Sequence, residues 1–118
     1  MKVLIADQLP TEAVAELTRD GFEVTFEPRL KGRALTQAIY AGVEVLVVRS
    51  TLVTAEVLAA GRLKLVVRAG AGFDTIDIEA ATAHKVDVAN CPGKNAEAVA
   101  ELAFGLMLSL DRRLPDNV

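Results

Sequence analysis

The chain holds one cysteine and one histidine in 118 residues. A lone Cys91 cannot close an intramolecular disulfide, and its isolation favours a reducing compartment. An excess of basic residues is missing as well. Thirteen Lys and Arg stand against sixteen Asp and Glu, for a net charge of −3, so nothing in the charge balance argues for nucleic acid or an anionic membrane as partner. Any basic site has to be local. Long apolar runs are also absent. The stretch Met1-Lys2-Val3-Leu4-Ile5-Ala6-Asp7 is too short for a signal peptide and meets an acid at once. The apolar region from Ala96 to Leu110 is broken by Glu97 and Glu101, which excludes a membrane span. No low-complexity tract interrupts a composition that is 52% hydrophobic, which excludes disorder and is enough for a real core. The expectation is a soluble, cytoplasmic, folded protein with no metal site.

What is present is a rhythm of helix, glycine and β-branched strand. Lys2–Ala6 reads as a first strand with Asp7 at its end. Pro10 and Thr11 open a helix with Val14, Ala15 and Leu17 on one face, and Gly21 closes it. Phe22–Phe26 alternates like a half-buried edge strand and stops at Pro28. A helix over Arg33–Ala41 buries Leu35, Ala38 and Ile39, and Gly42 leads into a central strand, Val43–Val48, that ends in Arg49. Thr54 caps a helix over Ala55–Ala60, closed by Gly61, and Leu63–Val67 forms a fourth strand that ends in Arg68. A helix over Ile76–His84 precedes a fifth strand, Val86–Ala89, ending in Asn90. Alternating strands and helices imply βαβ units with right-handed crossovers. The predicted fold is α/β: a flavodoxin-like, three-layer, five-stranded parallel sheet of order 2-1-3-4-5. A long helix capped by Asn95 follows and runs to about Arg112. This helix is apolar nearly all round, which calls for burial on several sides, by a further domain or by a second subunit.

In such sheets ligands bind beyond the carboxyl ends of the strands. Two of those ends carry arginine. Arg49-Ser50-Thr51 offers a guanidinium fork beside two hydroxyls, which suits a carboxylate or phosphate; a salt bridge from Arg49 to Asp7 is the competing reading. Arg68-Ala69-Gly70-Ala71-Gly72 offers a cation and two spaced glycines that let backbone N–H groups approach an anion; a tight turn needing positive φ is the competing reading. Neighbouring arginines repel and want an anion between them, which favours the two ligand readings jointly. The glycine loop is not a dinucleotide fingerprint. Thr75 stands where the third glycine of G-x-G-x-x-G belongs, and Asn90 stands near where a ribose-binding acid is expected. Asp74 and Asp77 are read as acids that charge and cap the following helix. His84 lies late in that helix, where a cation suits the dipole, and no partner makes Cys91 a nucleophile.

Val48-Arg49-Ser50-Thr51, Arg68 through Asp77, Asn90-Cys91-Pro92-Gly93-Lys94-Asn95-Ala96 and Ala100-Glu101-Leu102 together resemble the N-terminal portion of the D-2-hydroxyacid dehydrogenases, above all their phosphoglycerate-oxidising branch. The resemblance implies oxidation of a small anionic 2-hydroxy acid with NAD, here 3-phosphoglycerate to 3-phosphohydroxypyruvate in serine biosynthesis. It implies substrate contacts from Arg49, Ser50, Arg68, Gly70, Ala71 and Gly72, and cofactor contacts from Ala71, Asn95 and Val99. It further implies a substrate-binding domain over residues 1–94, an interdomain helix over 95–118, and a homodimer formed through the 95–112 helix. The family's catalytic arginine, glutamate and histidine, and its G-x-G-x-x-G loop, match nothing in this sequence, so no catalytic residue is expected in the chain. The expectation is a substrate-binding part of a longer enzyme, engineered or truncated, and inactive alone. A free-standing anion-binding or dimerisation module is the alternative. A signalling receiver domain shares the size and sheet order, but it needs an acidic pair after the first strand and a phosphorylatable aspartate after the third. Here those places hold a single Asp7 and Arg49.

Overall fold

The structure is a computed structural model and describes residues 2–9, 11–19, 21–70, 72 and 74–90, with Glu101 and Gly105. Five strands form one parallel sheet: β1 (Lys2–Ile5), β2 (Glu23–Phe26), β3 (Val45–Val48), β4 (Leu65–Arg68) and β5 (Asp87–Asn90). Their order is β2-β1-β3-β4-β5, as the sequence predicts. Between them lie α1 (Thr11–Arg19), α2 (Gly32–Tyr40), α3 (Ala55–Leu58) and α4 (Ile78–Ala83). The helix expected over 95–112 lies outside the described residues apart from Glu101 and Gly105, both helical.

Side chains alternate across a strand, so each central strand supplies two cores. One face gathers Leu4, Leu46, Val48 and Val66 under Leu35 and Ile39 of α2, Val57 and Leu58 of α3, and Ala81 of α4. The other gathers Val3, Ile5, Val45, Val47, Leu65 and Val67 with Leu17 of α1. Burial on both faces is why β1, β3 and β4 are continuous apolar runs while β2, at the edge, carries Glu23 and Thr25. In α1, Leu17 is buried and Val14 packs beside it, but Ala15 is exposed, contrary to the expectation. Positions 14 and 17 share a helix face, and 15 is turned about 100° away from 14.

The helix exits explain the glycine rhythm and its one exception. Gly21, Gly42 and Gly61 take φ of +94, +102 and +129° after α1, α2 and α3. After α4 the same left-handed step falls on Lys85, at φ +59°.

Register brings the strand ends level. Val48 pairs with Arg68, and Arg68 with Asn90. The ladder runs one residue further where Ala69 N–H donates to the Val48 carbonyl at 2.8 Å and Ala6 N–H to the Val47 carbonyl at 3.0 Å. The loops that follow β1, β3 and β4 therefore leave the sheet side by side.

Candidate anion-binding site

The loop after β3 is built on Asp7. This residue is only 7% exposed, and its Oδ2 accepts the backbone N–H groups of Arg49, Ser50 and Thr51 at 2.8, 2.6 and 2.9 Å. Oδ1 accepts from the Gln8 N–H at 2.8 Å. The Thr51 hydroxyl lies 2.8 Å from the Ala6 carbonyl and 3.0 Å from Oδ2, one proton offered to two acceptors. Burial pushes the Asp7 carboxyl up, but the N–H groups of Ser50, Thr51, Arg49 and Gln8 outweigh it and hold the pKa below the ordinary aspartate value. Asp7 thus does meet Arg49, but through the backbone. The salt bridge considered from sequence is not formed among the described residues, because the carboxylate is saturated by main-chain donors and the Arg49 side chain is exposed.

The loop after β4 is closed by its own arginine. Arg68 is 13% exposed at its side chain, and Nη1 donates to the Gly72 carbonyl at 3.0 Å. Nη2 stands 3.9 Å from the exposed carboxylate of Asp74. The guanidinium passes so close to the turn that a Cβ on Gly70 would sit 3.2 Å from Nη1. The Gly70 N–H donates to the Arg68 carbonyl at 3.0 Å, and Gly72 takes φ +83°. The two glycines therefore serve different needs: close approach of the arginine at 70, a left-handed step at 72. Ala71 lies outside the described residues, as do Cys91, Asn95 and Val99.

A link that the sequence reading did not anticipate joins the two loops. Val53 and Ile76 form an isolated parallel bridge: the Val53 N–H donates to the Thr75 carbonyl at 2.9 Å, and the Asp77 N–H to the Val53 carbonyl at 3.0 Å. Ile76 is consumed by this bridge, so α4 begins at Ile78 rather than at 76. Asp77 caps it, Oδ1 accepting the Ala80 N–H at 3.0 Å. Beside the β3 loop, a cleft of about 610 Å³ opens between Lys31 and Gly32 at the start of α2 and Ser50, Thr51, Leu52, Thr54 and Val57.

The Arg49 guanidinium and the Ser50 hydroxyl, exposed after β3, are groups of the kind that hold an oxyanion, and Gly70 and Gly72 lie in the neighbouring loop after β4. At the start of α4, where free N–H groups can hold a pyrophosphate, the Asp77 carboxylate takes the Ala80 N–H. His84, at the C-terminal cap of α4, is exposed and stands apart from these loops in the fold. Among the described residues no group of three or more His, Cys, Asp or Glu is gathered for a metal, and no helix is long and apolar enough to cross a membrane.

Comparison with known proteins places the sequence and the fold. Residues 3–110 match the family model for "D-isomer specific 2-hydroxyacid dehydrogenase, catalytic domain". The chain is 42% identical over 117 residues to a D-3-phosphoglycerate dehydrogenase of Archaeoglobus fulgidus, covering 98% of this chain and 22% of that protein. It is 43% identical over 116 residues to a hydroxypyruvate reductase of Thermotoga maritima, covering 96% of this chain and 37% of that protein. Its fold superposes on the NAD+-bound 3-phosphoglycerate dehydrogenase of Entamoeba histolytica with a TM-score of 0.70 and 36% identity, over 91% of this chain and 38% of that one. The chain thus spans between about a fifth and two fifths of the length of these relatives. With the matched region running across nearly the whole sequence, the chain belongs to the D-isomer specific 2-hydroxyacid dehydrogenases, by way of their catalytic domain.

Proposed function

We propose that this chain is the substrate-binding part of an NAD-dependent D-3-phosphoglycerate dehydrogenase, which oxidises 3-phosphoglycerate to 3-phosphohydroxypyruvate in serine biosynthesis. The observation that carries the proposal is the juxtaposition of two loops at the carboxyl edge of the sheet, one bearing Arg49 and Ser50, the other Arg68, Gly70 and Gly72, laced together through Val53 and Ile76. The D-3-phosphoglycerate dehydrogenase relatives at about 42% identity support the choice of substrate. A phosphorylated 2-hydroxy acid carries a carboxylate at one end and a phosphate at the other, so it calls for two separated anion contacts. In this reading the Gly70–Gly72 turn, with Ala71, takes the carboxylate, and Arg49 and Ser50 take the other anionic group, with Arg68 holding the turn between them.

Hydride transfer also needs a nicotinamide and a general base close to the hydroxyl being oxidised. The glycine loop at 70–72 lacks the third glycine of a G-x-G-x-x-G fingerprint, Thr75 standing in its place. In this reading NAD is held mainly by a further part of a longer protein, with Ala71, Asn95 and Val99 at its edge. Residues 1–94 then form the substrate domain, and the 95–118 segment leads onward and pairs two copies as a homodimer in the cytoplasm. The test is direct. Purified chain with 3-phosphoglycerate and NAD is expected to give no NADH, yet to bind 3-phosphoglycerate with an affinity lowered by Arg49→Ala. NADH formation by this chain, or equal affinity in the variant, overturns the reading.

A further inference from the structure

Successive backbone N–H groups turned toward one point make a nest for an anion. Such a nest exists beyond β3, over Arg49, Ser50 and Thr51, and the anion in it belongs to the protein. Oδ2 of Asp7 accepts all three N–H groups, with the Thr51 hydroxyl 3.0 Å away. Gln8 takes the second oxygen. From residue types alone, an arginine, a serine and a threonine at a strand end invite the idea that a ligand oxyanion rests on their main chain. The geometry leaves no room for it, since those donors are spent. What the first two residues of the loop still offer is side chain: the guanidinium of Arg49 and the hydroxyl of Ser50, both on exposed residues.

We infer that Asp7 is a positioning residue for the substrate anion: by filling the β3 nest with its own carboxylate, it converts a backbone anion cradle into a side-chain one and holds Arg49 and Ser50 at the carboxyl edge. This rests on the proposed reading that those two side chains meet the substrate. The conversion changes what the loop selects. A nest of N–H groups takes any small anion, whereas a guanidinium fork favours a planar or tetrahedral oxyanion that can accept two parallel hydrogen bonds. The same anchor reaches the second loop, because the segment pinned by Asp7 continues two residues later into Val53, which is bonded to Thr75 and Asp77. One carboxylate therefore sets the β3 loop directly and the β4 loop through the bridge.

The test uses this chain, isotopically labelled. Through-hydrogen-bond couplings from the amides of residues 49, 50 and 51 to the Asp7 carboxyl carbon are expected in the free protein and at saturation with 3-phosphoglycerate, while the Arg49 Nε–H signal shifts. Loss of those couplings as 3-phosphoglycerate binds means that the main chain has turned to the ligand, and overturns the inference. Intact couplings with no ligand-induced shift anywhere overturn instead the substrate reading on which the inference stands, so the two failures are distinguishable. A double-mutant cycle then tests the positioning. Asp7→Asn and Arg49→Ala are each expected to weaken 3-phosphoglycerate binding about tenfold, and the double variant by no more than about twofold beyond Asp7→Asn. Independent, multiplying losses overturn the inference. Should Asp7→Asn fail to fold, the couplings in the unaltered protein decide the matter alone.

Discussion

Replacing Asp7 puts the anchoring of the β3 loop on a measurable scale. Its buried carboxylate takes the N–H groups of Gln8, Arg49, Ser50 and Thr51. Hydrogen bonds to a charged acceptor contribute about 1.5–3 kcal/mol each, but exposed Arg49 and Ser50 let water recover part of the deficit, so Asp7→Ala is expected to cost about 3 kcal/mol in all. Asp7→Asn keeps one acceptor oxygen while turning an amide NH2 toward other donors, and is expected to cost about 2 kcal/mol. For a chain of this size, about 3 kcal/mol corresponds to a fall in Tm of roughly 12 °C. The pH dependence separates charge from shape. The Asp7 carboxyl is held below its ordinary pKa in the folded state, so the unfolded chain binds the proton more readily. Its stabilisation is therefore complete above the unfolded value of about 3.9 and drains away as pH falls through the lower folded value. The stability gap between the unaltered protein and Asp7→Asn is then widest near neutrality and narrows below about pH 4. Urea unfolding followed by circular dichroism across that range measures it. A neutral-pH gap under about 1 kcal/mol, or one that does not change with pH, would refute the reasoning.

The two loop glycines should respond differently to alanine. Gly72→Ala forces a side chain into φ +83° and is expected to cost about 1–2 kcal/mol, whereas Gly70→Ala meets only the movable end of Arg68 and is expected to cost under about 1 kcal/mol; equal losses by thermal melting would contradict the roles assigned to them. Lys85→Gly relieves the one left-handed residue among the described residues that is not glycine and is expected to gain about 0.5–1 kcal/mol after the unfolded-chain entropy of glycine is counted; a lower urea midpoint would show that Lys85 is unstrained.

The sheet was legible because its signals are local and redundant. The runs Val45–Val48 and Leu65–Val67 admit no amphipathic face, the alternation of Glu23 to Phe26 marks an edge, and short crossovers with one handedness leave few orders for five strands. The caps at Thr54 and Asp77 were legible for the same reason. The site was legible only in outline. An acid after β1 is visible in the sequence, but its bond to three N–H groups more than forty residues away depends on how the β3 loop turns, and no residue type encodes that. Two apolar residues in loops, Val53 and Ile76, carry no periodicity, so their bridge leaves no trace in the sequence, whose pattern starts α4 two residues early. The exit from α4 escaped the glycine rule because a lysine fills the left-handed position.

Charge argues for recognition by geometry rather than by field. At the carboxyl edge, the β3 and β4 loops bring Arg49 and Arg68 together with three aspartates, Asp7, Asp74 and Asp77, with Lys31 beside the cleft, in a chain at −3 overall. With acids and bases interleaved, these two loops by themselves make no strongly basic surface. Each acid is instead given a main-chain or guanidinium neighbour: Asp7 the β3 nest, Asp77 the start of α4, Asp74 the flank of Arg68. Bonded in this way, Asp7 and Asp77 shape the loops with less repulsion toward an incoming anion, while Asp74 stays exposed. Arg49 is left as the exposed arginine of the pair, since Arg68 is committed to the Gly72 carbonyl. In the proposed reading, one exposed guanidinium and one hydroxyl supply orientation but little affinity, which is what a half-site should do if the remaining contacts come from a second part of the enzyme closing over the same substrate.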